Sequence, residues 1–201
     1  MTVALDLDGT LLDCRPRQVR LAARLVGAGF DADRFWAAKR HGATTRVALE
    51  AVGVPGARAQ RIAREWAAAV EDDAWLAVDP LLPGARRALA ALAAAARPVL
   101  VLTARRRTRA ARDQVAHLVP GLPVEVVDPA RAAAAKAAAL RRCRARAFVG
   151  DTESDAAAAA AAGVAFLAVG GGQRDPTWLS EHGIAPVYAG VDDAVRALLG
   201  G

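Results

Sequence analysis

The sequence predicts an α/β protein, a doubly wound parallel sheet with a helical segment inserted after the first strand. Over the second half of the chain, short apolar runs that predict buried strands alternate with helical patterns. This alternation is typical of a parallel sheet with helices on both faces. Acidic or hydroxyl residues follow several of the apolar runs. Between the first and second runs, the chain carries only helical patterns.

The first strand is predicted at Thr2–Leu7, an apolar run that ends in an acidic turn. Four helices follow before any second strand signal. Their boundaries are indicated by glycines at 27, 29 and 42, by N-cap candidates at 31, 33, 44 and 45, and by Pro55. The predicted helices cover approximately residues 15–28, 31–40, 44–52 and 55–72.

Two prolines and a glycine at 79–84 interrupt the helices, as expected of a segment that returns the chain to the sheet. We therefore assign residues 1–13 and 81–201 to the α/β core and residues 14–80 to the helical insert. In the returning part, strands are predicted at 98–102, 123–127, 145–149 and 164–169, with a short one near Val187 and helices that include 84–95 and 191–199. The alanine run 156–162 is interpreted as a helix, because alanine is the best helix former.

Composition limits the class of protein. The chain has 201 residues, of which 54% are hydrophobic, enough to bury a core. Two cysteines without metal or disulfide spacing, and no signal peptide, favour the cytoplasm. Since no apolar stretch is long enough to span a bilayer, we expect no membrane association. The net charge of +6 favours anionic partners, although a general bias toward arginine also explains it.

Two arginine-rich stretches, 105–109 and 141–146, raise the question of nucleic-acid binding. No aromatic residue interleaves either stretch, so stacking platforms for bases are not evident. We expect both to be solvated faces and do not expect a nucleic-acid partner.

Polar residues follow or accompany the predicted strands at one edge of the sheet. The first strand ends in Asp6-Leu7-Asp8-Gly9-Thr10, the second ends at Thr103, and the fourth ends in a Gly-Asp-x-x-x-Asp pattern at 150–155. Lys136 lies on the helix after the third strand. Ligands of parallel α/β sheets bind at the carboxyl ends of the strands, so these groups form a candidate site.

These four signatures, in this order, resemble the haloacid dehalogenase-like hydrolase superfamily. The resemblance covers the whole chain and is strongest to the phosphoglycolate phosphatase-like branch, whose small helical cap follows the first motif. It implies a Rossmann-like core, a helical cap at 14–80, and a phosphatase acting on a small phosphorylated metabolite. The short interval between Thr103 and Lys136 leaves no room for a second cap.

The resemblance implies a role for each signature residue. Asp6 would be the nucleophile that forms an aspartyl-phosphate. Mg²⁺ would be held by the side chains of Asp6 and Asp151 and by the backbone carbonyl of Asp8. Asp155 would lie next to the ion and pair with Lys136.

The remaining roles concern the phosphoryl group and the proton. Thr103, the backbone N–H of Ala104, and Lys136 would bind the phosphoryl oxygens. Asp8 would be the general acid and then the general base. Because dehalogenating members lack this second aspartate, Asp8 favours hydrolysis of phosphate esters.

Candidate substrate-binding residues come from the insert and from the loops that face it. Lys39 and Arg46 belong to a polar cluster between two insert helices, where their charges also suit helix ends. Arg15 and Arg17 follow the first motif, and Arg105 follows Thr103. We expect these cations to reach an anionic substrate.

Other functions stay open from the sequence. A phosphonate hydrolase would need a Schiff-base lysine in the insert, and Lys39 is the candidate. A catalytically silent phospho-ligand-binding protein is a second alternative. A phospho-relay receiver would lack the insert and the Asp-x-Asp-Gly-Thr opening. The sequence does not identify the substrate, and it is compatible with a monomer or a homodimer.

Overall fold

The sheet confirms the predicted doubly wound topology. A computed structural model describes residues 2–200 and gives a parallel sheet of six strands within them, in the order β3-β2-β1-β4-β5-β6. The order reverses between β1 and β4, which opens a crevice at their carboxyl ends. The strands are β1 Thr2–Leu5, β2 Val99–Ala104, β3 Val124–Val127, β4 Ala145–Gly150, β5 Ala165–Val169 and β6 Val187–Tyr188.

The helices fall into an inserted group and a sheet-covering group. The insert contains α1 Arg15–Val26, α2 Ala32–Arg40, α3 Thr45–Ala51, α4 Gly56–Ala69 and α5 Asp73–Leu76. The rest of the chain contributes α6 Ala85–Ala94, α7 Thr108–Leu118, α8 Ala132–Arg142, α9 Glu153–Ala162, α10 Pro176–Glu181 and α11 Val191–Gly200, with a 3₁₀ turn at Pro129–Arg131. Within residues 2–200, no helix has both the length and the hydropathy needed to cross a bilayer.

Each face of the sheet has its own hydrophobic core. Successive residues of a strand point to opposite faces, so Val3 and Leu5 pack with α6, α7 and α11 on one side. Ala4 and Phe148 pack with α8 and α9 on the other side. The predicted alanine helix is confirmed as α9, and its small side chains pack directly against α8.

The inserted helices enclose a third core, formed around Phe35, Leu49 and Ile62. The chain enters and leaves this segment through adjacent stretches, since the Asp13 N–H donates to the Pro80 carbonyl and the Leu82 N–H donates to the Leu11 carbonyl. The insert is thus a separately packed body. Its predicted limits, 14–80, stay a prediction.

Three details differ from the sequence prediction. β1 ends at Leu5, two residues early, because the N–H groups of Leu11 and Leu12 fold back onto the Leu7 carbonyl. The fourth insert helix ends at Ala69 and is followed by the separate short helix α5. Helix α10 was not predicted, although Asp175 followed by a proline is an N-cap signal, and its side chain accepts from the Thr177 N–H.

The insert core generates a stability prediction. Phe35 is fully buried, so Phe35→Ala should lower the free energy of unfolding by about 3–5 kcal/mol. The control is Val47→Ala, because Val47 is 41% exposed and its truncation should cost no more than about 0.5 kcal/mol. Urea unfolding followed by circular dichroism measures both. Equal losses in the two variants would contradict the assignment of Phe35 to a packed core.

Candidate active site

The crevice between β1 and β4 brings the sequence signatures together. Asp6 follows β1, Thr103 is the next-to-last residue of β2, and Asp151 follows β4. Lys136 reaches the crevice from α8. The crevice contains a cavity of about 140 Å³. Its lining includes Asp6, Asp8, Thr103, Ala104, Lys136 and Gln173.

Lys136 bridges two carboxylates at the centre of the site. Its Nζ donates to Asp6 Oδ1 and to Asp155 Oδ1, each at 2.6 Å, and all three side chains are buried. Burial acts to lower the pKa of Lys136, but Asp155 and Asp6 outweigh it and raise that pKa. Lys136 is therefore a permanent cation at neutral pH. The pairing of Lys136 with Asp155 is the one anticipated from the sequence.

Three carboxylates share this site with one lysine. One oxygen from each of Asp6, Asp151 and Asp155 lies within 4.8 Å of the others. Burial is the main cause that raises the pKa of Asp6 to about 7 and that of Asp151 well above its usual range. Asp151 Oδ1 is buried and has no hydrogen-bond partner among the described residues. These buried carboxylate oxygens are the kind of ligand that a hard divalent cation prefers.

Backbone from two loops closes over Asp151. The Gln173 N–H donates to Asp151 Oδ2 at 2.5 Å, and Gln173 Nε2 donates to the Asp8 carbonyl at 3.3 Å. Gly9 turns with φ +85°, and a Cβ there would lie 2.0 Å from Asp151 Oδ2. A Cβ on Gly172 would lie 2.2 Å from the same oxygen. Glycine is required at both positions because the backbone lies so close to the Asp151 carboxylate.

Asp8 lies in a different electrostatic environment from Asp6. Arg17 donates to Asp8 Oδ1 at 2.8 Å, and Arg105 donates to Oδ1 at 2.5 Å and to Oδ2 at 2.9 Å. Burial acts to raise the pKa of Asp8, but Arg105 and Arg17 outweigh it, and the pKa falls to about 2. Asp8 is therefore held as a carboxylate in this arrangement.

The two arginines are themselves anchored. Arg105 NH1 donates to Gln114 Oε1 at 2.9 Å. Arg17 Nε lies 3.0 Å from Asp79 Oδ2, at the point where the chain returns from the insert. Asp8 is thus connected through Arg17 to both ends of the inserted segment.

The other predicted substrate-binding residues lie farther from the cavity. Arg15 forms an exposed ion pair with Asp33 at 2.5 Å, and Arg46 forms one with Glu50 at 3.0 Å. Lys39 lies on the side of the insert that contacts the loop after β5. The structure therefore brings Arg17 and Arg105 to the site but not Arg15 or Arg46. Substrate binding by these residues stays a prediction.

Sequence reasoning missed Gln173, which contacts both Asp8 and Asp151. A signal was available, because three consecutive glycines at 170–172 follow the fifth strand at the ligand-binding edge. Gln18 was also missed, and its amide donates to Gln173 Oε1 at 3.2 Å. An isolated glutamine on a helix carries no sequence signal for such a contact.

Comparison with known proteins identifies the family. A protein-family model described as haloacid dehalogenase-like hydrolase matches residues 1–163. The chain belongs to the haloacid dehalogenase-like hydrolase family, as its motifs predicted. It is accordingly a hydrolase. No curated protein sequence matches the chain.

Solved structures share the whole fold at low sequence identity. A protein from Lactobacillus delbrueckii, provisionally named a phosphoglycolate phosphatase, is 16% identical with a TM-score of 0.74, over 100% of this chain and 98% of that one. A haloacid dehalogenase-like protein from Streptococcus pneumoniae is 18% identical with a TM-score of 0.71, over 98% and 97%. A Thermotoga maritima protein, provisionally named a β-phosphoglucomutase, is 19% identical with a TM-score of 0.65, over 100% and 99%.

The glycine contacts predict a sharp difference between two neighbouring positions. In Gly172→Ala the new methyl group would collide with Asp151 and with the Gly9 backbone, whereas in Gly171→Ala it would meet only the Ala189 carbonyl at 3.5 Å. We expect Gly172→Ala to lower kcat/KM for a phosphate ester at least about tenfold, since displacing the Asp151 carboxylate disturbs the geometry of the candidate site. Gly171→Ala should remain within about threefold of wild type. Equal effects would contradict the close approach.

The paired arginines predict a pH-dependent stability difference. The pKa of Asp8 falls from 3.8 to about 2 on folding, so Asp8 stabilises the fold above pH 4 and loses that contribution between about pH 4 and 2. The contribution is about 2 kcal/mol. Asp8→Asn leaves two buried arginines without their carboxylate, so it should destabilise the fold by about 2–5 kcal/mol at pH 7. The gap from wild type should narrow as the pH falls below 4.

Urea unfolding at pH 7, 4 and 3 measures this gap. The control is Asp33→Asn, which removes an exposed partner of Arg15 and should change stability by no more than about 0.5 kcal/mol. A gap for Asp8→Asn that stays constant down to pH 3 would show that the arginines do not hold Asp8 ionised.

Proposed function

We propose that the protein is a Mg²⁺-dependent phosphohydrolase that removes phosphate from a small phosphorylated metabolite through an aspartyl-phosphate on Asp6. The observation that carries the proposal is the position of Asp6, which lines the cavity between Lys136 and the carboxylate of Asp151. A carboxylate nucleophile and a phosphate dianion repel each other, so the site must supply cations. Lys136 is one such cation, and the clustered carboxylates could hold a metal ion as another.

The residues present fit a magnesium ion. Asp6 and Asp151 would hold it through side-chain oxygens, the Asp8 carbonyl would be the third protein ligand, and Asp155 would lie beside it. When bound, Mg²⁺ would neutralise phosphate charge and keep the surrounding carboxylates ionised. That contribution is needed because burial, which Lys136 offsets only in part, raises the pKa of Asp6 to about 7.

The protein side chains carry the chemistry. Lys136 occupies Asp6 Oδ1, which leaves Oδ2 to attack phosphorus while the bond to the leaving oxygen breaks. Thr103 and the Ala104 N–H would bind the phosphoryl oxygens as charge moves onto them. Water then attacks the phosphorus of the aspartyl-phosphate, which releases inorganic phosphate and restores Asp6.

Asp8 is the proposed general acid and base. Paired with Arg17 and Arg105, it is a carboxylate, which suits it to accept a proton from water. To protonate the leaving oxygen, it must first lose some of these contacts. A substrate anion that attracts the arginines would raise the pKa of Asp8 and allow that step.

The insert is proposed as the cap over this cavity, within the limits 14–80. Gln18 of α1 contacts Gln173, and Arg40 of α2 donates to the Gly170 carbonyl at 2.7 Å. Two fold neighbours carry names that refer to phosphorylated small molecules, phosphoglycolate and phosphoglucose. Together with the net charge of +6, they support a small anionic substrate. Both cysteines are free thiols, which agrees with a reducing compartment such as the cytoplasm.

The nucleophile can be tested by an isosteric change. Asp6→Asn removes the attacking carboxylate and should lower Mg²⁺-dependent release of phosphate from a panel of phosphate esters at least about 10³-fold. EDTA should abolish wild-type turnover, and added Mg²⁺ should restore it. Thermal unfolding checks that the variant is folded. Release of phosphate by the folded Asp6→Asn variant at the wild-type rate would refute the mechanism. If the wild-type protein binds a phosphate ester tightly but does not hydrolyse it, the result would favour a catalytically silent binding protein.

A second candidate function is hydrolysis of a phosphonate. It is favoured by Lys39, because burial and then the charge of Arg174 lower the pKa of this amine to about 8, closer to the range in which it can form an imine. Borohydride with a carbonyl-bearing phosphonate should then label Lys39 covalently. Full activity in Lys39→Ala on such a phosphonate would exclude this candidate.

A further inference from the structure

Gln114 is a buried polar residue of α7 that contacts the insert and an arginine of the site at the same time. Its Nε2 donates to the Leu76 carbonyl of α5 at 2.7 Å, and its Oε1 accepts from Arg105 NH1 at 2.9 Å. A carbonyl can only accept a hydrogen bond, and a guanidinium can only donate one. The amide of a glutamine has one end of each kind and satisfies both partners.

Arg105 holds both oxygens of Asp8 through one edge of its guanidinium. Nε donates to Oδ2 at 2.9 Å, and NH2 donates to Oδ1 at 2.5 Å. This fork leaves NH1 on the opposite edge of the planar group, and NH1 is the nitrogen that Gln114 binds. The backbone of Arg105 is fixed as well, because its N–H donates to the Val127 carbonyl of β3 at 3.1 Å. The guanidinium is therefore held from both edges.

The two oxygens of Asp8 differ in the number of arginines that hold them. Oδ1 accepts from both Arg17 and Arg105, whereas Oδ2 accepts only from Arg105 among residues 2–200. Oδ2 is thus the oxygen with more capacity left to accept a proton, and its direction depends on Arg105. A residue that fixes this guanidinium also fixes the carboxylate proposed as the general base.

Part of the surroundings of Gln114 is open space. The residue lines a cavity of about 200 Å³ between α5 and α7, whose walls also include Leu76 and Ala110. A side chain that is not packed on all sides keeps a choice of rotamers unless its polar ends are held. The two hydrogen bonds therefore set the orientation of the amide, and the one to Leu76 relates it to the position of the insert.

We propose that Gln114 is a positioning residue, which acts through Arg105 to hold the Asp8 carboxylate in place for the attack of water on the aspartyl-phosphate. This inference rests on the proposed phosphohydrolase function. In that step the proton of the attacking water passes to Asp8, the bond from phosphorus to the Asp6 oxygen breaks, and inorganic phosphate leaves. Because Gln114 also binds α5, the step depends on the insert lying where the structure places it.

The test uses 4-nitrophenyl phosphate with Mg²⁺, because the leaving group departs as a stable anion and needs no proton from Asp8. For this substrate kcat/KM reports the formation of the aspartyl-phosphate, whereas kcat also includes its hydrolysis. Gln114→Met removes both polar ends of the amide at similar length. We expect kcat to fall at least about fivefold while kcat/KM stays within about twofold of wild type, so KM falls with kcat. Rapid mixing should then show a burst of 4-nitrophenolate before the slower steady state.

A double-mutant cycle tests whether Gln114 acts through Arg105. In Arg105→Met the guanidinium is absent, so adding Gln114→Met should change kcat by no more than about twofold. A glutamine that only ties α7 to α5 would instead lower kcat by the same factor in both backgrounds. The control is Gln60→Met, which replaces an exposed glutamine of α4 and should leave every constant at its wild-type value. Circular dichroism and thermal unfolding establish folding, and leucine replaces methionine in any variant that is not folded.

The outcomes separate the two proposals. The role of Gln114 is overturned if folded Gln114→Met keeps the wild-type kcat, if kcat/KM falls as much as kcat, or if the two losses multiply in the double variant. In each case, hydrolysis that still depends on Asp6 would leave the proposed function intact. Hydrolysis of 4-nitrophenyl phosphate by Asp6→Asn at the wild-type rate would instead refute the proposed function itself.

Discussion

The site depends on one interaction, the bridge from Lys136 to Asp6 and Asp155. A parallel sheet places the first and fourth strands side by side, so acidic residues that follow them are forced into one buried crevice. Buried carboxylates repel each other and lose hydration, and a single lysine compensates only part of that cost. Asp151 Oδ1 is left without a hydrogen-bond partner among the described residues, and in the function we propose a cation binds there and helps to hold phosphate.

Asp6 and Asp8 show how strongly the environment decides the role of a carboxylate. They are two residues apart on the same turn, yet the pKa of Asp6 is raised to about 7 and that of Asp8 is lowered to about 2. Burial dominates at Asp6, whereas two guanidinium groups outweigh it at Asp8. Because their pKa values differ so strongly, the two carboxyl groups can take different roles. In the function we propose, Asp6 is the nucleophile and Asp8 transfers the proton. Since Arg17 lies in α1 of the insert, a movement of the insert would change the ion pair that Arg17 forms with Asp8.

The loop after β5 joins the two bodies of the protein. Its backbone approaches the Asp151 carboxylate so closely that Gly172 cannot carry a side chain, and Gln173 contacts both the Asp8 carbonyl and the insert. The same loop receives Arg40 from the insert and donates to the carbonyl of Lys39 through Arg174. This loop therefore connects the insert to the cavity that Asp6 lines.

The sequence by itself determined the positions of the main strands, the parallel sheet and the presence of a helical insert. It could do so because hydrophobic periodicity and short motifs are local. It also predicted one site for Asp6, Asp151 and Lys136, and the structure brings these three side chains into the same crevice. Only the tertiary structure decided which cations meet which carboxylates. Arg17 and Arg105 are paired with Asp8 while similar arginines remain at the surface, and that difference depends on contacts between residues up to 97 positions apart. No local pattern encodes such contacts, because Arg105 reaches Asp8 only when β1 and β2 lie side by side, and Arg17 reaches it only when α1 packs beside the site.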